Sequence, residues 1–137
     1  MKTIPDILVD HILPFQWDVQ KVWQQEAEVS PEPLADLSYL LDLPLWSSLP
    51  NRGMLFDISP REVIACPHTS PHQHRRILKA DSNYPIDLMR YQERLWILDG
   101  VHRLAKLFLM ETDLVKVRFH SEEIIPPILS HSASPVT

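Results

Sequence analysis

RLWILDGVHRLAKLFLMETDLVKVRF, residues 94–119, changes its hydrophobic period twice. Arg94 to Leu98 is an apolar run in which Trp96, Ile97 and Leu98 follow one another, as suits a strand covered on both faces. Asp99-Gly100 interrupts it as a tight turn. From Val101 the residues Val101, Leu104, Ala105 and Phe108 fall at helical spacing, and Leu107, Leu109 and Met110 widen the arc, so the helix is largely buried. From Leu114 to Phe119 the period shortens to two: Val115, Val117 and Phe119 alternate with Lys116 and Arg118, the pattern of a half-exposed strand. A strand that feeds a helix through Asp-Gly leaves unpaired backbone N–H groups at the helix start, here beside His102 and Arg103. That is the outline of an anion site, to which the helix dipole adds partial positive charge. Gly100 permits the left-handed or close-approach backbone such a turn requires.

Upstream, residues 84–89 (YPIDLM) read as a strand that Pro85 either places at an edge or leaves unpaired only at its first residues, and the loop Arg90 to Glu93 returns the chain as a β-hairpin. Residues 54–63 (MLFDISPREV) suggest a strand and then one helical turn, followed by a loop from Cys66 to Pro71 and a helix through Gln73 to Ala80. His68 to Lys79 holds Arg75, Arg76, Lys79 and three histidines without an acid, the one basic concentration in the chain. Nearer the start, Asp18 is a plausible N-cap for a helix over Val19 to Glu28. Ser30-Pro31-Glu32-Pro33 breaks it, and a second short helix runs from Leu34 to Leu41. From Pro126 the chain loses period and becomes rich in Ser and Pro, which predicts a disordered tail.

Composition narrows the classes. A chain of 137 residues is most economically one domain with a real core, and a formal charge of −5 argues against broad binding to DNA or RNA. With 13 Pro and only 2 Gly, Gly53 and Gly100 are each expected at a demanding turn. Cys66 is the sole cysteine, so neither an intramolecular disulfide nor a multi-cysteine metal site is possible; it reads as an inert buried thiol. His68, His72 and His74, with no acid nearby, do not make a standard zinc site, and no metal-binding residues are assigned. Trp17, Trp23, Trp46 and Trp96 read as core or cover. The first residues, MKTIPDILVDHIL, have Pro5, Asp6, Asp10 and His11 inside any apolar run and are neither a signal peptide nor a membrane span. The expectation is a soluble cytoplasmic protein without a membrane partner.

The hairpin, a strand ending in Asp99-Gly100-Val101-His102-Arg103, a helix with Ala105 and a following strand resemble the nucleotide-binding core of the ParB/sulfiredoxin superfamily over roughly residues 54–119. Tyr84-Pro85-Ile86-Asp87-Leu88 is similar to the Pro-Ile-containing strand that precedes this turn in sulfiredoxins. The resemblance implies an α+β fold, a small mixed sheet with packed helices. The N-terminal half matches no part of the family; with the helices and the tail read above, the chain divides into an N-terminal helical cover over 1–53, the core of the same domain over 54–125, and the tail over 126–137. The resemblance also implies that Gly100, Val101, His102 and Arg103 form a phosphate-binding turn, aided by Arg75, Arg76 and Lys79 on the preceding helix.

Departures from the family pattern direct the functional expectation. Sulfiredoxins carry their catalytic cysteine between the Gly and the His, where this chain has Val101, so sulfinic acid reduction is not expected. ParB proteins proper have an Arg-rich turn and a following helix-turn-helix domain, for which these residues leave no room. The Asp-Gly-x-His-Arg version is similar to the free serine kinases of the superfamily. It implies a phosphotransferase that uses ATP or ADP with Mg²⁺ and passes phosphate to a small-molecule acceptor; the alternative is a ParB-type nucleotide-responsive or DNA-binding module. In the first reading Arg103 forks onto phosphate oxygens and His102 donates to a phosphate. Asp99 orients His102, binds Mg²⁺ or accepts the hydroxyl proton, and Glu62 is an alternative base. Oligomeric state is not legible.

Overall fold

A computed structural model describes residues 17–50, 56–91 and 94–129. The chain has an α+β fold: a four-stranded mixed sheet with helices packed against it. Strands β2 (Ile86–Tyr91) and β3 (Arg94–Asp99) form the expected antiparallel hairpin, with a bulge between Asp87 and Leu88. Helix α5 (Val101–Leu109) carries the chain across the sheet, so that β4 (Leu114–His120) lies parallel to β2. The fourth strand corrects the sequence reading. Val29–Pro33, expected only to break a helix within an all-helical cover, is β1, paired antiparallel with β4 at the sheet edge. An edge is where a strand with two prolines can sit, because its missing donors interrupt no central ladder.

One sheet face carries the main core. Ile86, Leu88, Ile97, Val115 and Val117 meet Leu37, Leu40 and Leu41 from α2 (Leu34–Leu37) and the 3₁₀ turn after it, Val63 from α3 (Pro60–Ala65), Ile77 from α4 (Pro71–Lys79), and Leu104 and Ala105 from α5. Each fully buried aliphatic side chain contributes about 1.5–3 kcal/mol relative to exposure. Only the end of the segment expected as a strand before α3 is described: Ile58 makes an isolated bridge with Trp46, while Gly53, Met54 and Leu55 lie outside the described residues. Positive φ occurs at Gly100, as expected, and also at Phe56 and Glu111.

The opposite face is smaller and is covered from both ends of the chain. Val22 of α1 (Val19–Trp23) and Ile128 of α6 (Ile125–Ile128) pack on Met89, Trp96 and Leu98. Asp18 caps α1 as expected, but the helix stops at Trp23 rather than Glu28. Residues 126–129, expected in a disordered tail, are instead docked: Ile128 is fully buried, its carbonyl accepts from the Asp18 amide at 2.8 Å, and Lys21 Nζ donates to Leu129 O at 3.0 Å. Ile124, Ile125 and Ile128 supply an apolar face too short to register as a period, and the prolines sit in the first helical turn, where a missing N–H is harmless. Residues 130–137 lie outside the described residues. No helix among the described residues is long and apolar enough to cross a membrane.

β4 is not half-exposed in the simple sense its alternation suggested. On its second face Arg118 is half-buried and His120 buried, gathered around the buried Asp87 of β2. Asp87 Oδ1 accepts from His120 Nε2 at 2.8 Å and lies 2.8 Å from Arg118 Nε, an ion-pair contact whose N–H is not aligned as a hydrogen bond. Arg118 Nη2 donates to Val22 O at 2.9 Å, which ties α1 to this charge cluster. Cys66, read as buried, is exposed at the end of α3.

Candidate functional site

The turn between β3 and α5 opens onto a cavity of about 750 Å³, within the roughly 300–1,000 Å³ range of small-ligand pockets. Gly100 has φ 106°, and a Cβ there would stand 3.2 Å from Arg103 Nη1 and 3.3 Å from the Ile86 backbone, so both conformation and space demand glycine. The Leu104 amide donates back to Gly100 O as the first helical bond, and no side chain among the described residues caps α5. The amides of Val101, His102 and Arg103 therefore start a nine-residue helix without intrahelical partners, at the cavity wall.

Facing them is α4, which Pro71 starts and which presents His72, Gln73, Arg76 and Lys79 to the cavity. The side chains of Arg76 and Lys79 make no hydrogen bond or ion pair among the described residues. Arg75 points to solvent outside the cavity lining. A third wall is apolar and comes from the N-terminal half: Trp17, Leu45, Trp46, Leu49 and Pro50. Among the described residues the cavity thus combines three cationic side chains, counting Arg103, with one carboxylate, Asp99, and a broad apolar surface.

His102 is held in one state. Its ring stacks on Trp46 with centroids 4.2 Å apart and planes 11° from parallel. Nε2 lies 2.7 Å from Gln73 Oε1, and Gln73 Nε2 in turn donates to Ser47 O at 3.0 Å, so Gln73 is oriented as an acceptor and His102 Nε2 carries the proton. Burial, then the charges of Arg76 and His72, push the imidazole down to about 3. It is neutral at ordinary pH, and its one N–H is committed to Gln73. The expected donation to a phosphate thus requires proton uptake at Nδ1.

Arg103 also serves the scaffold. Its fork holds two backbone carbonyls, Asp81 O at 2.8 Å and Pro85 O at 2.7 Å, and the guanidinium lies over Tyr84. Lys106 one turn later donates to Leu78 O and Ala80 O at 2.9 and 2.8 Å, so α5 fastens the end of α4 and the loop before β2. Asp99 is half-buried and does not orient His102; its Oδ2 accepts from the Trp23 indole N–H at 2.7 Å. Glu62 is remote from this chemistry. It completes a capping box with Ser59 at the start of α3 and does not line the cavity.

The structure therefore brings together Asp99, Gly100, Val101, His102, Arg103, Arg76 and Lys79, and leaves Arg75 and Glu62 outside. Sequence reasoning missed Gln73, Trp17, Trp46 and the Trp23 contact. The tryptophans were visible only as bulky cover, and nothing around Gln73 marks it as the partner of a histidine 29 residues away. Among the described residues no three His, Cys, Asp or Glu side chains lie together as a metal-ligand set. No family model matches the sequence, and no curated protein or solved structure matches it either.

Proposed function

We propose that this cavity binds the phosphates of a nucleotide, ATP or ADP, and that the protein is a phosphotransferase of the ParB/sulfiredoxin type acting on a small hydroxyl-bearing acceptor. The observation that carries the reading is the juxtaposition of the uncapped α5 N-terminus with Arg76 and Lys79 across one cavity. Partner-free amides and unpaired cations on opposite walls match a chain of phosphates, and the apolar wall of Trp17, Leu45 and Leu49 suits a nucleobase. The order of hairpin, DGVHR turn, helix and a strand parallel to β2 supports the family assignment.

Phosphoryl transfer asks mainly for positioning and charge neutralisation. Arg76 and Lys79 neutralise phosphate oxygens, the α5 amides orient them, and Arg103 keeps the wall rigid through the carbonyls of Asp81 and Pro85. His102, neutral and with its N–H committed to Gln73, holds the wall in place through Gln73 and the stacked Trp46. Asp99 is the one carboxylate on the cavity wall among the described residues and the group to meet Mg²⁺ or the acceptor hydroxyl. Mg²⁺, when bound, supplies charge neutralisation between phosphate oxygens.

The test is calorimetry with ATP, ADP, CTP and GTP, with and without Mg²⁺, on the wild type and on Arg76→Ala/Lys79→Ala. The expected result is micromolar binding weakened at least tenfold in the double variant. Absence of binding by the wild type to every nucleotide refutes the proposal.

A further inference from the structure

The N-terminal segment does more than cover the sheet. Two of its tryptophans direct indole N–H groups at consecutive residues where β3 ends: Trp17 Nε1 donates to Leu98 O at 3.0 Å, and Trp23 Nε1 to Asp99 Oδ2 at 2.7 Å. Trp23 is 55% exposed, so burial does not explain its place. What holds it is α1, fastened by Arg118 Nη2 on Val22 O at 2.9 Å, by the Asp18 amide on Ile128 O, and by Lys21 Nζ on Leu129 O. The indole is thus delivered to the carboxylate from an anchored helix, 76 residues away in sequence. Oδ1 of Asp99 has no partner among the described residues, and Asp99 lines the cavity.

We propose that Trp23 is a positioning residue for the site: by occupying Asp99 Oδ2 it offers Oδ1 alone as the oxygen that meets a divalent cation carried in by a nucleotide. This rests on the reading of the cavity as a nucleotide site. An indole donor on one carboxylate oxygen fixes the rotamer and the bound oxygen of a metal ligand, the outer-shell role that partners of ligating carboxylates play. The donor set fits Mg²⁺ only in company. One carboxylate without a second or third protein ligand is too little by itself, whereas Mg²⁺ commonly takes one or two carboxylates and completes its shell with phosphates and water. The cation therefore binds with the nucleotide and not before it.

The experiment measures ATP affinity by calorimetry in Mg²⁺ and in EDTA for wild type, Trp23→Phe and Asp99→Asn, and follows the Trp23 indole N–H by ¹H–¹⁵N spectroscopy, its resonance assigned from its loss in Trp23→Phe. The expected wild-type result is a tenfold or larger gain in affinity with Mg²⁺, and an indole shift that is larger with Mg²⁺–ATP than with ATP alone. In Trp23→Phe the gain shrinks at least fivefold while affinity in EDTA moves less than twofold, and Asp99→Asn abolishes the gain. A full Mg²⁺ gain in Trp23→Phe, or a wild type that binds ATP with no Mg²⁺ gain, overturns this inference and leaves the nucleotide site standing. A wild type that binds no nucleotide overturns both.

Discussion

Replacing His102 with glutamine removes a ring that the fold keeps neutral, and the consequence lies in how stability responds to pH. An unfolded histidine titrates near 6.5, whereas burial, Arg76 and His72 push His102 down to about 3. Between those values the unfolded chain binds a proton that the folded chain refuses. Stability therefore rises with pH across this window and is lost as pH falls below about 6.5. pH 5.0 lies about 1.5 units below the unfolded value and still above the folded one, so at about 1.4 kcal/mol per unit the loss relative to pH 7.5 is about 2 kcal/mol. Arg76 keeps its charge throughout, so the repulsion that favours the neutral ring persists. The substituted glutamine side chain has no titrating ring and keeps an amide donor for Gln73. Urea unfolding of wild type and His102→Gln at pH 7.5 and 5.0 reads the difference directly: the wild type is expected to lose about 2 kcal/mol more than the variant. Losses that agree to within about 0.5 kcal/mol refute the account, because His102 would then titrate alike in both states.

Three further outcomes follow from the geometry. Gly100→Ala forces a Cβ into the left-handed region, 3.2 Å from Arg103 Nη1 and 3.3 Å from Ile86; it is expected to cost about 2 kcal/mol in thermal unfolding, and an unchanged midpoint would remove the case for a required glycine. Asp87→Asn leaves Arg118 and the buried His120 without their carboxylate. A loss of about 3–5 kcal/mol is expected in denaturant titration, and a loss under about 1 kcal/mol contradicts the view that this buried charge holds α1 and the sheet together. Glu62→Ala breaks the α3 capping box and is expected to cost about 1 kcal/mol of stability without altering ATP affinity. A fivefold change in affinity with unaltered stability would return Glu62 to the site.

Much of the architecture was legible because it is local. The change of period from Trp96 through Phe108 to Val117 marks strand, helix and strand, since each element buries one face or stripe at its own spacing. Asp99-Gly100 announced the turn, and φ 106° at Gly100 is what a residue without a Cβ is there to supply. Asp18 marked the start of α1 for an equally local reason, whereas α4, expected from Gln73 to Ala80 after a loop ending at Pro71, opens at Pro71 itself and closes at Lys79. β1 was not legible, because two prolines in five residues carry no strand signal and only pairing with β4 extends them. Nor was α6, whose four residues hold no full period and whose order comes from the surface that receives Ile128.

The same division runs through the site. Residues a few positions apart were enough to specify a glycine turn that delivers a helix start with His102 beside it, and to put Arg76 and Lys79 on the helix before it, because turn chemistry and helical spacing depend on near neighbours. What each group does there came from the packing of distant elements. It assigned Arg103 to the carbonyls of Asp81 and Pro85, paired His102 with Gln73 at 29 residues' separation, and set Trp23 on Asp99 across 76. Hydrogen bonds of that span depend on where packed elements bring donor and acceptor, and no local pattern encodes the meeting.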